Sequence, residues 1–128
     1  MLKSAHELVM TAKQQVKELA TNAVVASMDD TSWTILDVRE PDEFAAGHLP
    51  GAVNVPRGML EFRLSANPAW QNAALPVLVY CKTGGRSALA AATMQAMGYE
   101  HVVSMAGGFD AWAAASLPVV TPAPVSFE

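Results

Sequence analysis

Seven consecutive residues, Cys81-Lys82-Thr83-Gly84-Gly85-Arg86-Ser87, bring together a nucleophile, two cations and two glycines in one short stretch. They follow the apolar run Val77-Leu78-Val79-Tyr80 and precede an alanine-rich segment, so the spacing places them between a buried strand and a helix. A glycine-bearing turn at such a junction gathers backbone N–H groups around one point and adds the positive end of the helix dipole. A cysteine at the mouth of that nest is expected to be solvent-accessible and to have its thiolate favoured. Lys82 and Arg86 add positive charge, and the planar guanidinium of Arg86 suits the oxygens of an anion. Gly84 and Gly85 clear the close approach, and one of them can supply a positive φ. A lone cysteine is ordinarily a small core residue, but packing alone gives no reason for Lys, two Gly and Arg to follow it. The chemistry expected is nucleophilic attack by Cys81 on an anionic substrate.

The elements that position this loop can be read along the chain. Leu2, Ala5, Leu8, Val9, Ala12, Val16 and Leu19 recur at helical spacing, although Val16 to Leu19 also reads as a short strand. Thr21 or Asn22 can cap a second short helix. Residues Trp33 to Val38 form a β-rich run ending in charge, and Pro41 suits the first turn of a helix that stops at Gly47. Ala52 to Val55 is a further strand, Gly58 to Leu64 a short helix, and Ser65 to Ala74 irregular. Ser87 to Met97 is a helix with Gly98 as its left-handed cap, followed by a strand over His101 to Met105. Gly107-Gly108 then make a turn before a closing helix, Phe109 to Ala115. The expectation is a single domain over 1–128, with 1–20 a helical extension and the proline-bearing segment 117–128 an extended or frayed tail. Alternating strands and helices imply an α/β fold with a mainly parallel sheet. In such sheets, ligands bind outside the carboxyl ends of the strands, and Asp37-Val38-Arg39 and Cys81 occupy two of those ends.

Composition excludes several classes of function. The 128 residues are 52% hydrophobic and 16% charged, which suits one globular domain. With net charge −4 and its cations scattered singly, the chain lacks the basic stripe of a nucleic-acid binder. The single cysteine rules out an intrachain disulfide. No leader-like h-region and no membrane-length apolar run is present, so the chain reads as cytoplasmic, with no membrane partner. His6, His48 and His101 have no ligand spacing, so neither a metal nor another cofactor is called for.

Three motifs resemble the single-domain rhodanese family of thiosulfate and persulfide sulfurtransferases. They are LDVREPDEFAAGHLPGAVNVP from Leu36 to Pro56, YCKTGGRS from Tyr80 to Ser87, and GGFDAW from Gly107 to Trp112. The resemblance implies a three-layer α/β/α sandwich around a five-stranded, mainly parallel sheet. It implies a Cys81 persulfide cradled by the amides of Lys82, Thr83, Gly84, Gly85, Arg86 and Ser87. It also implies that Asp37 and Arg39 brace the site from the neighbouring strand end, with Glu43 the partner of Arg39. The plain alternative for Asp37 and Arg39 is a surface ion pair. His48 reads as a turn residue that satisfies backbone groups, and Phe109 and Trp112 as core anchors. Arg57 reads equally as lining the substrate mouth or as a solvated loop cation. The partners implied are a small sulfur donor and a cyanide or thiol acceptor, a protein thiol included. The motifs do not address oligomeric state.

Two rival readings remain. Cysteine phosphatases and arsenate reductases use a similar anion loop, but theirs is C-x5-R, whereas Cys81 to Arg86 is C-x4-R. One residue fewer removes about 3.3–3.6 Å of contour, a tight fit for a phosphoryl group. The other is a binding module or a sulfur carrier dedicated to one protein partner.

Overall fold

The computed structural model describes residues 1–122. Residues 123–128, part of the expected tail, lie outside the described residues. In chain order the elements are α1 (Ala5–Gln15), β1 (Lys17–Leu19), α2 (Thr21–Ser27), β2 (Thr34–Asp37), α3 (Pro41–Ala46), β3 (Val53–Asn54), α4 (Leu60–Ala66), β4 (Val77–Tyr80), α5 (Gly85–Met97), β5 (Val102–Met105) and α6 (Gly108–Ala114). The five strands form one sheet in the order β1-β5-β4-β2-β3, and every pairing is parallel.

Strand alternation sorts the core into two layers. Val77, Val79 and Cys81 join a cluster with Leu60, Leu64, Ala90, Ala91 and Met94, on the side of α4 and α5. Leu78 and Tyr80 join Val24, Leu49, Val103, Met105 and Trp112, on the side of α2 and α6. Because side chains alternate across a strand, the parity that sends Tyr80 toward α6 sends Cys81 toward α5. All four residues of β4 are buried, as a central strand with both faces covered must be.

Topology sets the position of the site. The chain leaves β2 for β3 on one flank and returns to β4 on the other, which makes the carboxyl ends of β2 and β4 a switch point. The register pairs Asp37 with Tyr80, and the Val38 amide donates to the Tyr80 carbonyl at 3.1 Å. Arg39 and Cys81 therefore emerge from adjacent strand ends.

Two expectations need correcting, and a third is decided between its alternatives. Residues 1–20 are not wholly a helical extension: after α1, Lys17–Leu19 forms the edge strand and pairs with Val103–Met105. Neither Thr21 nor Asn22 caps α2, whose N-cap is Ala20 with no side-chain bond. Within 117–122 the chain is tied down, not frayed. Val120 and His48 exchange backbone hydrogen bonds at 2.8 and 2.9 Å, and Trp112 Nε1 donates to the Pro118 carbonyl at 2.7 Å. The His48 bridge comes from a partner remote in sequence, so local composition could not signal it.

Candidate active site

The loop from Cys81 to Gly84 turns back on its own sulfur. Gly84 adopts φ +110°, a left-handed conformation open to glycine, and this swings the chain into α5. The Gly84 amide then donates to Cys81 Sγ at 3.1 Å and the Ser87 amide at 3.3 Å. Helix N-termini leave such amides without intrahelical partners, and here a sulfur takes two of them. Cys81 Sγ also lies 3.6 Å from Ser87 Oγ as a donor. The amides of Thr83, Gly85 and Arg86 donate to no other group among the described residues. Two of the six amides from Lys82 to Ser87 thus bond the sulfur.

The carbonyls of the loop are drawn the other way. Phe109 N–H donates to the Cys81 carbonyl at 2.8 Å and Asp110 N–H to the Lys82 carbonyl at 3.0 Å. These donors belong to the first turn of α6, which approaches so closely that a Cβ on Gly108 would lie 2.5 Å from the Cys81 oxygen. Gly108 also has φ +56°. Gly107-Gly108 therefore does more than turn the chain: it lets one helix N-terminus grip the loop's oxygens while its N–H groups face the sulfur. Gly108→Ala is expected to cost about 1–3 kcal/mol from backbone strain alone, with the clash added, and to disorder the sulfur cradle. Denaturant unfolding beside an assay of Cys81 alkylation checks this, and wild-type values in both would contradict it.

One expectation about the nucleophile is overturned. Cys81 does not stand open at the mouth of the nest; it is 1% exposed. Strand parity points its side chain inward toward α5, and the Gly84–Ser87 turn closes over it.

Charged groups surround this closed turn, paired differently from the expectation. Glu43 is not the partner of Arg39. It forms a two-pronged contact with Arg86, Nη1 to Oε1 at 2.7 Å and Nη2 to Oε2 at 3.0 Å. Its Oε1 also accepts the Glu40 amide at 3.0 Å, completing a capping box on α3. The capping box aims the Glu43 carboxylate across to α5. Hydrogen bonds from Arg86, outweighing burial, hold the Glu43 carboxyl at about 2, and those to Glu43 raise Arg86 above its ordinary value. A carboxyl lowered in this way keeps its contact above its ordinary pKa of about 4.5. The contact is lost as pH falls through about 2. Carbon-13 NMR of the Glu43 carboxyl should show that late titration, and a midpoint in the ordinary range would refute the pairing. Glu43→Gln is expected to loosen the turn and free Arg86, raising Cys81 alkylation by iodoacetamide severalfold at neutral pH; an unchanged rate would refute that role.

Arg39 instead pairs with Asp37. Its Nη2 lies 2.8 Å from Asp37 Oδ2 and its Nε 3.1 Å from both carboxylate oxygens, and its backbone amide donates to Oδ1 at 2.9 Å. The pair is no surface bridge, since the two side chains are 5% and 0% exposed. Arg39 also donates to the Gly47 carbonyl and lies over the Phe109 ring, 4.4 Å from its centroid. Burial opposes the charge on Arg39, but Asp37 outweighs it and raises its pKa. Tyr80, raised chiefly by burial, accepts the Leu49 amide at 3.1 Å. Asp37 and Arg39 thus clamp the end of β2, the exit of α3 and the start of α6 into one block beneath the loop.

The remaining candidates fall away from the sulfur. Lys82 Nζ turns to Asp110 at 2.9 Å in an exposed pair, worth little to stability. Thr83 is exposed. Arg57 does not line the site: it spans Glu61 and Thr93, both at 3.0 Å, and so ties α4 to the middle of α5. His48 Nδ1 lies 3.0 Å from the Phe44 carbonyl, with its ring stacked on Phe44 at 3.7 Å. Sequence reasoning missed Ser104 on β5, fully buried with its Oγ 2.8 Å from Ser87 Oγ. A serine inside an otherwise apolar strand was the available signal. Among the described residues, no His, Cys, Asp or Glu cluster could hold a metal ion, and no helix is long and apolar enough to cross a membrane.

Comparison with known proteins bears on this geometry. The family model for the rhodanese-like domain matches residues 20–115. A sulfurtransferase of Allochromatium vinosum is 34% identical over 108 residues, covering 84% of this chain and 97% of that protein. The thiosulfate sulfurtransferase GlpE of Pseudoalteromonas translucida is 31% identical, covering 77% of this chain and 90% of its own. Among solved structures, a Rhodopseudomonas palustris protein described as of unknown function and a possible tyrosine phosphatase superposes with TM-score 0.85. It is 33% identical and covers 94% of this chain and 96% of its own.

Proposed function

The chain belongs to the rhodanese-like domain family, and from that premise we propose that it moves a sulfane sulfur from thiosulfate or a persulfide to a thiophilic acceptor through Cys81. In the first half-reaction the Cys81 thiolate attacks the outer sulfur of thiosulfate. A bond forms between the two sulfurs, the bond to the sulfonate sulfur breaks, and sulfite leaves with that electron pair. In the second, cyanide or a thiolate attacks the terminal sulfur and Cys81 leaves as thiolate. No other cysteine is present in the chain, so the acceptor comes from outside, a small molecule or a protein thiol.

The observation that carries this reading is the sulfur-centred cradle: two amides on Sγ, at 3.1 and 3.3 Å, beside further amides in the same turn that no other group among the described residues claims. A second sulfur carrying negative charge suits those donors, because hydrogen bonds to an anion strengthen in a site shielded from water. Lys82 and Arg86, both in surface-accessible pairs, are assigned the departing sulfite. Their present partners, Asp110 and Glu43, must yield them. Asp37 and Arg39 are assigned a bracing role, and Arg57 none in the chemistry. A chain with one cysteine needs no oxidising compartment, which suits a cytoplasmic setting.

The description of the Rhodopseudomonas protein brings the phosphatase reading forward again. Against it stands the short C-x4-R ring, in which Arg86 is already gripped by a carboxylate. Intact-protein mass spectrometry after thiosulfate treatment tests the proposal: one added sulfur atom, removed by cyanide, is expected. An unchanged mass together with hydrolysis of p-nitrophenyl phosphate would replace sulfur transfer with the phosphatase reading.

A further inference from the structure

Ser104 occupies a position that packing would assign to an apolar side chain. It lies on β5 between Val103 and Met105, all four residues of the strand are buried, and Ser104 itself is 0% exposed. A buried hydroxyl is unfavourable unless it is hydrogen-bonded. Among the described residues Ser104 Oγ has one such partner, Ser87 Oγ at 2.8 Å. Ser87 Oγ lies in turn 3.2 Å from the Gly84 carbonyl and 3.6 Å from Cys81 Sγ. Ser87 Oγ is thus the branch point that joins Ser104, the Gly84 carbonyl and the sulfur.

Each hydroxyl has one proton, which limits the arrangements. With Cys81 as a thiol, Ser87 donates to the Gly84 carbonyl and its oxygen accepts from Ser104 and from the thiol. With Cys81 as a thiolate, the thiol proton has left for solvent and the sulfur needs donors. Ser87 can then turn its proton from the carbonyl to the sulfur, while Ser104 continues to donate to the Ser87 oxygen. A hydroxyl that is accepting one hydrogen bond donates another more strongly. We propose that Ser104 is a positioning residue that, through Ser87, stabilises the Cys81 thiolate whenever the reaction passes through it. This rests on Cys81 being the nucleophile, as proposed above. The thiolate occurs twice in the cycle, as attacking group on the donor and as leaving group toward the acceptor, so both half-reactions gain.

The test compares wild type with Ser104→Ala, Ser87→Ala, the double variant, and the isosteric pair Ser104→Thr and Ser104→Val, which differ by the hydroxyl. Iodoacetamide alkylation of Cys81 is followed against pH, and sulfur loading from thiosulfate by mass. Loss of one net hydrogen bond corresponds to about a fivefold effect. Ser104→Ala is expected to move the alkylation profile to higher pH and to slow loading by about that factor. Thr should retain more of both than Val, and Ser104→Ala should add nothing once Ser87 is Ala. An unchanged profile in Ser104→Ala, or the same loss in the Ser87→Ala background, overturns the proposal. If Ser104→Ala does not fold, the Thr and Val variants decide it by the same criterion. If wild type alkylates normally but takes up no sulfur, the transfer reading fails while the alkylation series still judges the hydroxyl pair.

Discussion

Cys81→Ala is expected to reduce sulfur transfer from thiosulfate to cyanide to the uncatalysed rate. No other side chain of this protein can hold a sulfur atom as a persulfide, because Cys81 is its single thiol. The loss should therefore exceed that from any one cradle or charge substitution, each of which removes part of the stabilisation and leaves the nucleophile. Stability should change little, since the side chain is small and its contacts with the Gly84 and Ser87 amides are modest. The decisive measurement is a steady-state assay alongside intact mass. Wild type should gain one sulfur atom, whereas Cys81→Ala should gain none and turn over no substrate. Retained turnover in a variant with native unfolding behaviour would refute covalent transfer through this residue.

Asp37→Ala is expected to have the largest effect on stability, about 3–5 kcal/mol, the usual cost of leaving one member of a buried ion pair uncompensated. Asp37 is fully buried and accepts both the side chain and the backbone amide of Arg39. Without it, the Arg39 guanidinium stays against the Phe109 ring with the Gly47 carbonyl as its remaining hydrogen-bond acceptor among the described residues. The expected loss is comparable with much of a small domain's total stability. Activity should fall with it, because Phe109 lies in the first turn of the helix whose amides hold the loop carbonyls. Chemical denaturation checks the prediction, and a loss below about 1 kcal/mol, the scale of an exposed pair, would refute the clamp. Asp37→Ala with Arg39→Met should recover part of the loss, since it removes the stranded charge as well.

Much of this site is legible along the chain because its central part is local. Cys81, Gly84 and Ser87 lie within one turn at a strand-to-helix junction, so apolar periodicity on either side and glycine between are enough to indicate an amide nest. Pro41 likewise announces the first turn of α3. The pairing of charges was not legible. The family resemblance implied that Glu43 would meet Arg39, but α3 turns Glu43 to Arg86, and the short Asp37–Arg39 contact satisfies the arginine first. Arg57 shows the same limit: one residue beyond Pro56, it is carried by the turn before α4 toward Thr93 and away from the sulfur.

Sequence alone determined the α/β class, the place of the single cysteine at a strand-to-helix junction and the turn that surrounds it, since strand period, helix period and glycine placement are properties of neighbouring residues. Tertiary structure decided that the sulfur is enclosed, that Gly108 brings α6 against the loop's carbonyls, and that Ser104 stands behind Ser87. Those depend on which strands lie side by side and how closely helices approach them. Such distances are set by packing of the whole sheet between its two layers of helices, and spacing along the chain does not encode them.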